Sequence, residues 1–176
     1  MLTTYKLRII DRQFNEFGLV NAYTLKEAPI PHGFNPFEKK MFNQDIFTYQ
    51  NGVVNILHSS AKCMKIIPAV LALENSQTFG RKKDKFFYKC IPDDKRLPIF
   101  LVAYKIRLGF SKSIKNKYVV FQFKSWEDKH PIGSLTQTLG DVNKLDSFYE
   151  YQLYCKSLYA SIQEITKKTM LKLKEK

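Results

Sequence analysis

Hydrophobic residues before Lys144 group into short blocks with the character of β-strands. Two of these blocks, 99–106 and 118–123, are rich in β-branched and aromatic residues and are bounded by Pro, Gly, Asn, Asp and Ser, which is typical of strands. Gln50-Asn51-Gly52 predicts a tight hairpin turn. Further strands are predicted at 5–10, 17–25, 41–49, 53–58, 86–88 and 61–73, the last broken or bulged at Pro68. The pattern therefore predicts an all-β protein.

The pattern changes to a helical period after Lys144. Apolar residues then recur every three or four positions, which gives one apolar stripe. They are Tyr151, Tyr154, Leu158, Ile162 and Ile165. Ser147 and Glu150 have the spacing of a capping box, which would begin the helix there. We expect a helical tail whose stripe packs on the preceding strands or, as an alternative, docks a partner.

Segments in the middle of the chain resemble a known family. The first is Pro92-Asp93-Asp94-Lys95-Arg96-Leu97-Pro98, preceded by aromatic residues. The second runs from Tyr118 to Trp126 and continues through His130-Pro131-Ile132-Gly133 and Leu139-Gly140-Asp141-Val142. In order, spacing and residue type, these segments resemble the second cold-shock-type domain of the RNase II/RNase R superfamily, the RNB-type 3′-to-5′ exoribonucleases.

The resemblance implies a fold for most of the chain. Residues 61–145 would form one complete oligonucleotide-binding (OB) barrel of the cold-shock type, and 146–176, by their helical period, would form the helical tail. Residues 1–60 would form a divergent or partial OB-like unit, because their 42–46 segment is similar to the strand that closes the family's first cold-shock-type domain but has Gln44 where Gly is usual. The expected fold class is thus all-β, with OB-type barrels and a C-terminal α-helix.

The acidic residues do not predict a catalytic site. Two-metal nucleases need several carboxylates that converge on cations about 4 Å apart, whereas Asp93 and Asp94 are neighbours in a Pro-bounded segment and are expected to form its turn. The resemblance implies that Arg96 braces this turn. The family's catalytic aspartates belong to an RNB domain that would follow, and the chain ends at Lys176. We therefore predict no catalysis by this chain alone, no metal site and no cofactor.

Basic residues are concentrated in one part of the chain. Of the formal net charge of +13, residues 61–130 contribute +10, from 16 basic and 6 acidic side chains. Such a charge attracts polyanions, above all nucleic acid. The alternative is a basic surface that binds no ligand, which would have the same net charge. No segment has the ~18 to 20 apolar residues that span a bilayer, and no signal peptide is recognisable. Three Cys without a CxxC pair are typical of a reduced, intracellular protein.

The candidate nucleic-acid contacts combine cations with aromatic rings. In a strand, Phe86 and Tyr88 share one face and Phe87 points to the other, so one face enters the core while the other offers bases a stacking platform. Tyr118 is expected on the groove side of its strand. The predicted contacts are Arg81, Lys82, Lys83, Lys85, Phe86, Tyr88, Lys89, Lys112, Lys115, Lys117, Tyr118 and Lys124.

Together these observations predict a module that binds single-stranded RNA or, in second place, single-stranded DNA. By resemblance it corresponds to the RNA-entry domains of an RNB-type exoribonuclease. One alternative is a non-catalytic subunit or fragment of a split exoribonuclease that docks a catalytic chain through the C-terminal helix. Another is a basic structural or scaffold protein. The frequent use of Lys, Phe, Ile and Asn, together with this truncated architecture, is similar to that of family members in large DNA viruses.

Overall fold

The computed structural model describes residues 3–106 and 113–157, most of which lie in two β-sheets. The strands of the first sheet are β1 (Thr4–Ile9), β2 (Phe17–Asn21), β3 (Glu27–Ala28), β4 (Ile46–Gln50) and β5 (Val53–His58). They lie in the order β3-β2-β1-β4-β5, and each pair is antiparallel. Asn51 and Gly52 join β4 to β5 with φ angles of 50° and 80°. This confirms the predicted tight turn, because two-residue hairpin loops of this kind need positive φ at both positions.

The second sheet closes into a barrel. Its strands are β6 (Ile67–Leu71), β7 (Arg81–Lys82), β8 (Lys85–Pro92), β9 (Phe100–Tyr104), β10 (Lys117–Ser125) and β11 (Ile132–Asp141). Pairing runs from β6 to β8, β9, β11, β10 and back to β6; β9 and β11 are parallel and the other pairs are antiparallel. A closed five-stranded barrel with this connectivity is an OB-fold. The predicted fold class is therefore confirmed.

The first sheet has related connectivity but is open. Its first strand pairs with the second and the fourth, the second with the third, and the fourth with the fifth, which reproduces four of the five pairings of the barrel. Among the described residues, no pairing joins β3 to β5, and β3 has only two residues. The sheet thus has the strand order of an OB barrel opened at one seam. The boundaries 1–60, 61–145 and 146–176 stay predictions.

Segment 61–73 differs from the single interrupted strand that we predicted. Its first residues belong to a short helix, α1 (Ser60–Cys63), and β6 begins only at Ile67. Pro68 is the second residue of β6, and its carbonyl accepts a hydrogen bond of 3.0 Å from the N–H of Asp93. Proline lacks an N–H and is therefore tolerated near the start of a strand, so the chain before it takes another structure.

One hydrophobic core joins the two sheets. The ring of Phe42, which precedes β4, stacks on that of Phe100 in β9 with planes 2° apart and centroids 5.9 Å apart. Trp126 follows β10, is buried, and packs against Phe42 at 4.8 Å between centroids. Burial of one such ring contributes about 1.5 to 3 kcal/mol. This aromatic cluster therefore holds the first sheet against the barrel.

The C-terminal helix α2 (Leu145–Cys155) packs on the outer face of the barrel. Tyr151 and Tyr154 are buried against Val120 of β10 and Leu139 of β11, which confirms this part of the apolar stripe. The remaining stripe positions, Leu158, Ile162 and Ile165, lie outside the described residues. In the part of the chain that the structure describes, no helix is long and apolar enough to cross a membrane.

The predicted capping box at the start of α2 is wrong. The helix begins at Leu145 with Lys144 as its N-cap, and no side chain caps it. Ser147 is instead buried inside the helix and lies against Gly140, where a Cβ atom would collide with its hydroxyl. Gly140 also has a φ of 146°, which favours glycine. The Leu-Gly-Asp-Val motif therefore allows α2 to approach the barrel.

Candidate nucleic-acid interface

An open cleft of about 250 Å³ lies beside the β7–β8 hairpin on the outside of the barrel. Four lysines line it, and we call it the basic cleft. They are Lys82, Lys83, Lys85 and Lys124. Its other lining residues are Asp84, Phe87, Ala103, Ile132, Gly133, Ser134 and Leu135. A neighbouring pocket shares Asp84, Lys85, Ala103 and Leu135 with the cleft and extends it toward Thr138. The cleft thus combines cations with apolar surface.

Strand β8 supplies the aromatic residue of the basic cleft. Its side chains alternate, so Tyr88 and Cys90 enter the core while Phe87 lies on the outer side with Lys85 and Lys89. Phe87 is directly opposite Ala103 of β9, whose small side chain also lines the cleft. A half-buried ring next to a small residue leaves room for a flat ligand.

The loop between β6 and β8 folds back along β8 and brings its cations to the cleft. The N–H of Phe79 donates to the carbonyl of Phe87 at 2.9 Å, and the N–H of Phe87 donates to the carbonyl of Gly80 at 3.0 Å. Lys82 then pairs with Lys85 in the β7–β8 register. The loop therefore lies along the second barrel strand, and its Lys82 reaches Lys124 near the end of β10.

Two of the cleft lysines are close enough to repel each other. Contact with the amino group of Lys124, followed by repulsion from its charge, lowers the pKa of Lys82, and Lys83 and Lys85 add to the effect. Like charges held together bind an anion favourably, since the anion relieves their repulsion. Asp84 is the one carboxylate among the described lining residues, and it pairs with Lys105 at 2.9 Å. This pairing lowers the pKa of Asp84, so the carboxylate stays ionised and its charge is balanced by Lys105. The four lining lysines therefore give the cleft an excess of positive charge.

The structure corrects two of the predicted aromatic contacts. Tyr88 is only 4% exposed and belongs to the core, so its ring is not accessible for stacking. Phe86 is 41% exposed, but it points away from the cleft and the guanidinium of Arg81 lies 5.6 Å from its ring centroid. The ring that lines the cleft is Phe87. Alternation predicted two faces for this strand, but it did not reveal which face is buried.

Residues near the start of β10 do not join the basic cleft. Tyr118 stacks on Tyr151 of α2 with centroids 4.3 Å apart and planes 21° apart, so the prediction that it faces the groove is wrong. Lys117 pairs with Asp141 of β11. Lys115 is half-buried and is not a lining residue of the cleft. Lys112 lies outside the described residues.

Lys89 continues the outer row of β8 beyond the cleft. Its amino group lies 5.1 Å from the ring centroid of Phe79, and that ring contacts His130 at 6.3 Å. Burial, aided by the charges of Lys129 and Lys89, lowers the pKa of His130, so the imidazole is neutral at pH 7. Sequence reasoning missed Phe79 and His130 because they come from two loops that meet only in the folded barrel.

The acidic turn after β8 is structural. The carboxylate of Asp94 accepts hydrogen bonds of 2.9 Å from Nε and Nη2 of Arg96, which confirms that Arg96 braces this turn. Asp93 accepts a hydrogen bond of 3.2 Å from the hydroxyl of Tyr151. Within residues 3–106 and 113–157, no three His, Cys, Asp or Glu side chains lie close enough together to hold a metal ion.

The barrel and its cleft define an OB-fold domain of the kind that binds oligonucleotides. Residues 87–151 match the family model of the Dis3-like cold-shock domain 2. The match begins in β8, includes β9, β10 and β11, and ends in α2; it covers less than half of the 176-residue chain. For this segment, the resemblance to the RNB-type exoribonuclease family is confirmed. A comparison with curated proteins found no match.

Proposed function

We propose that this protein binds single-stranded RNA in the basic cleft. One observation carries the proposal: the cleft lies on the face of the second and third barrel strands, β8 and β9, beside the loop from β6 that leads into the second strand. OB-folds bind oligonucleotides at this face and with this loop. The match to a cold-shock domain of an RNA-degrading family supports RNA as the ligand.

The contacts in the cleft suit a flexible polyanion. Lys82 and Lys124 form a paired phosphate site, because an anion between them relieves their repulsion. Lys83 and Lys85 extend the positive charge along the hairpin. Phe87 offers a ring on which one base stacks, and such stacking contributes about 1 to 3 kcal/mol. Lys89, on the same side of β8, holds the next phosphate.

Affinity measurements on two charge-matched variants test the proposal. Fluorescence anisotropy with labelled oligo(U) is measured for the Lys82→Ala/Lys124→Ala variant and for the Lys26→Ala/Lys95→Ala control, whose lysines are exposed and lie outside the cleft. The cleft variant is expected to lose about tenfold or more in affinity, which corresponds to about 1.4 kcal/mol. Equal losses in both variants would contradict a site in the cleft. Parallel titrations with oligo(dT) measure the preference for RNA over DNA.

The proposal includes binding without cleavage. Both carboxylates of the Pro92–Pro98 turn are engaged in structural hydrogen bonds. Labelled oligo(U) incubated with the protein and Mg²⁺ is therefore expected to keep its length over the time in which an RNB-type exoribonuclease degrades it. Stepwise shortening by the protein, but not by the same preparation after heat denaturation, would contradict this part of the proposal.

A second candidate function is docking of a separate catalytic nuclease chain through α2. The observation that favours it is the exposed apolar side of this helix, where Leu145 is 62% and Tyr149 is 54% exposed and Phe148 lies between them in the sequence. Sedimentation with a purified RNB-type catalytic domain is expected to detect a complex that Leu145→Lys/Tyr149→Lys weakens and the control Tyr23→Lys preserves. The scaffold alternative predicts no such complex. It also predicts that neither oligo(U) nor oligo(dT) changes the melting temperature of the protein.

A further inference from the structure

Strand β5 is an open edge of the first sheet. It is the last strand in the order β3-β2-β1-β4-β5, and its single partner among the described strands is β4. In the part of the chain that the structure describes, no backbone hydrogen bond reaches its other side. An edge of this kind presents a row of free N–H and C=O groups that can pair with another strand.

This edge carries little of the usual protection against pairing. Strand β5 has the sequence Val53-Val54-Asn55-Ile56-Leu57-His58, which contains no Lys, Arg, Asp, Glu or Pro. Val53 is 67% and Leu57 is 56% exposed, so apolar side chains lie on the solvent side of the strand. Natural edge strands are normally kept apart by charges, prolines or bulges. Strand β5 carries neither a charge nor a proline, and its one bulge, at Leu57 opposite the Ile46–Phe47 step of β4, lies near its end. Most of this edge is therefore open to pairing with a partner.

We propose that β5 pairs antiparallel with β5 of a second copy of this chain, around a two-fold axis at Asn55. Residues that lie opposite each other in an antiparallel pair point to the same face of the sheet. An axis between two neighbouring residues would pair residues that point to opposite faces, so the axis must pass through a residue. An axis at Asn55 places Val53 opposite Leu57 on the outer face and Val54 opposite Ile56 on the inner face. An axis at Ile56 would place Leu57 opposite Asn55. The strand is therefore self-complementary in one register.

The charge distribution favours a second copy as the occupant. Residues 1–60 carry six basic and five acidic side chains, a net charge of +1, whereas residues 61–130 carry +10. Two copies that meet through the first sheet therefore approach with little repulsion. All lining residues of the basic cleft belong to the second sheet or its loops. The dimer leaves both clefts accessible, and the inference does not depend on RNA binding.

Sedimentation velocity over a wide range of protein concentration tests the proposal. One strand pair buries less surface than a standard interface of about 1,600 Å², so we expect a weak dimer whose fraction rises with concentration. Val53→Lys and Leu57→Lys are expected to keep the protein monomeric because each variant places a charge on the shared edge. Ile10→Lys changes a side chain that is 63% exposed outside β5 and is expected to dimerise like the wild type. A monomer at every concentration, equal dimerisation of all variants, or growth beyond two copies would overturn the proposal.

A cysteine placed on the axis tests the register. Asn55→Cys, in a Cys63→Ser background that removes the exposed natural thiol, brings two thiols face to face in the proposed dimer, since directly opposed Cβ atoms lie about 4.5 to 5.5 Å apart. Mild oxidation is expected to give a covalent dimer on a non-reducing gel. The control Ile10→Cys in the same background is expected to stay monomeric. Cross-linking of both variants to the same extent, or of neither, would contradict the register.

Discussion

The guanidinium of Arg12 donates a hydrogen bond of 2.5 Å to the backbone carbonyl of Pro92. Its Nε donates a second one, of 3.1 Å, to the carbonyl of Leu97. Arg12 follows the first strand of the first sheet, whereas both acceptors belong to the acidic turn of the barrel. The side chain of Arg12 therefore connects the first sheet to the Pro92–Pro98 turn, which is one of the segments that carry the family resemblance.

Replacing Arg12 is expected to destabilise the protein through this junction. Hydrogen bonds from a charged donor contribute about 1.5 to 3 kcal/mol, and Arg12→Ala removes the donor to three carbonyls, those of Pro92, Asp94 and Leu97. Urea unfolding is expected to show a free energy of unfolding lower by that amount. Arg8→Ala, which removes an exposed arginine from β1, is the matched control and is expected to change stability little. Similar losses in the two variants would contradict the proposed role of Arg12.

Gly140 is expected to tolerate no side chain. Its φ of 146° is strained for other residues, and a Cβ atom there would collide with Ser147 of α2. Backbone strain of this kind costs about 1 to 3 kcal/mol, to which the displacement of α2 adds. Gly140→Ala is therefore expected to lower the free energy of unfolding by more than about 1 kcal/mol. Gly18→Ala, where no atom lies within 4 Å of an added Cβ, is the control; a loss of equal size there would show that the cost is not specific to the α2 contact.

Asp45 is expected to make stability depend on pH. Its buried carboxylate accepts hydrogen bonds from the N–H of Phe42 and the hydroxyl of Ser59, but burial outweighs them and raises its pKa above the ordinary value of 3.8. Because the pKa of Asp45 is raised in the folded state, the protonated side chain contributes to the free energy of unfolding. This contribution is complete below pH 3.8 and is lost as the pH rises through the raised pKa.

The measurement is urea unfolding of the wild type and of Asp45→Asn at a series of pH values. The variant keeps a neutral side chain of similar shape, so the ionisation of Asp45 affects the wild type alone. We expect the stability of the wild type relative to the variant to fall as the pH rises across that window. A difference that stays constant or grows would mean that Asp45 ionises without cost.

The two neighbouring phenylalanines of β8 are expected to differ in RNA binding. Phe87 lines the basic cleft, whereas the ring of Phe86 lies under Arg81 on the other side of the strand. Phe87→Ala is expected to weaken oligo(U) binding by about 1 to 3 kcal/mol through lost stacking, and Phe86→Ala to change it little. Phe87→Leu keeps apolar volume and separates stacking from folding. A larger effect at Phe86 than at Phe87 would contradict the assignment of the cleft.

Local sequence patterns predicted the elements better than the site. The Asn51-Gly52 turn and the Asp94 brace depend on neighbours in the chain, and both are confirmed. The face of β8 could not be predicted, because the core that Tyr88 and Cys90 enter is assembled from distant residues such as Phe121. An alternating strand alone contains no information about which side faces that core.

The composition of the cleft depends on tertiary structure in the same way. Lys82 and Lys124 come together because the loop before β8 folds back against the barrel, and no spacing in the sequence marks that contact. Tyr118 has the alternation of a groove residue, but α2 covers it through Tyr151. The prediction of an intracellular location depends on the cysteine pattern and the lack of a recognisable signal peptide, and that of a viral origin on residue usage and architecture. Both stay predictions.

The salt dependence of RNA binding tests the central claim most directly. Each phosphate neutralised on a single strand contributes about 0.7 to the slope of log affinity against log salt concentration. Anisotropy titrations with oligo(U) at several salt concentrations are expected to give a slope for Lys82→Ala/Lys124→Ala that is smaller than that of the wild type by about 1.4, whereas Lys26→Ala/Lys95→Ala keeps the wild-type slope. An unchanged slope in the cleft variant would contradict the claim that these lysines hold the phosphates of the bound strand.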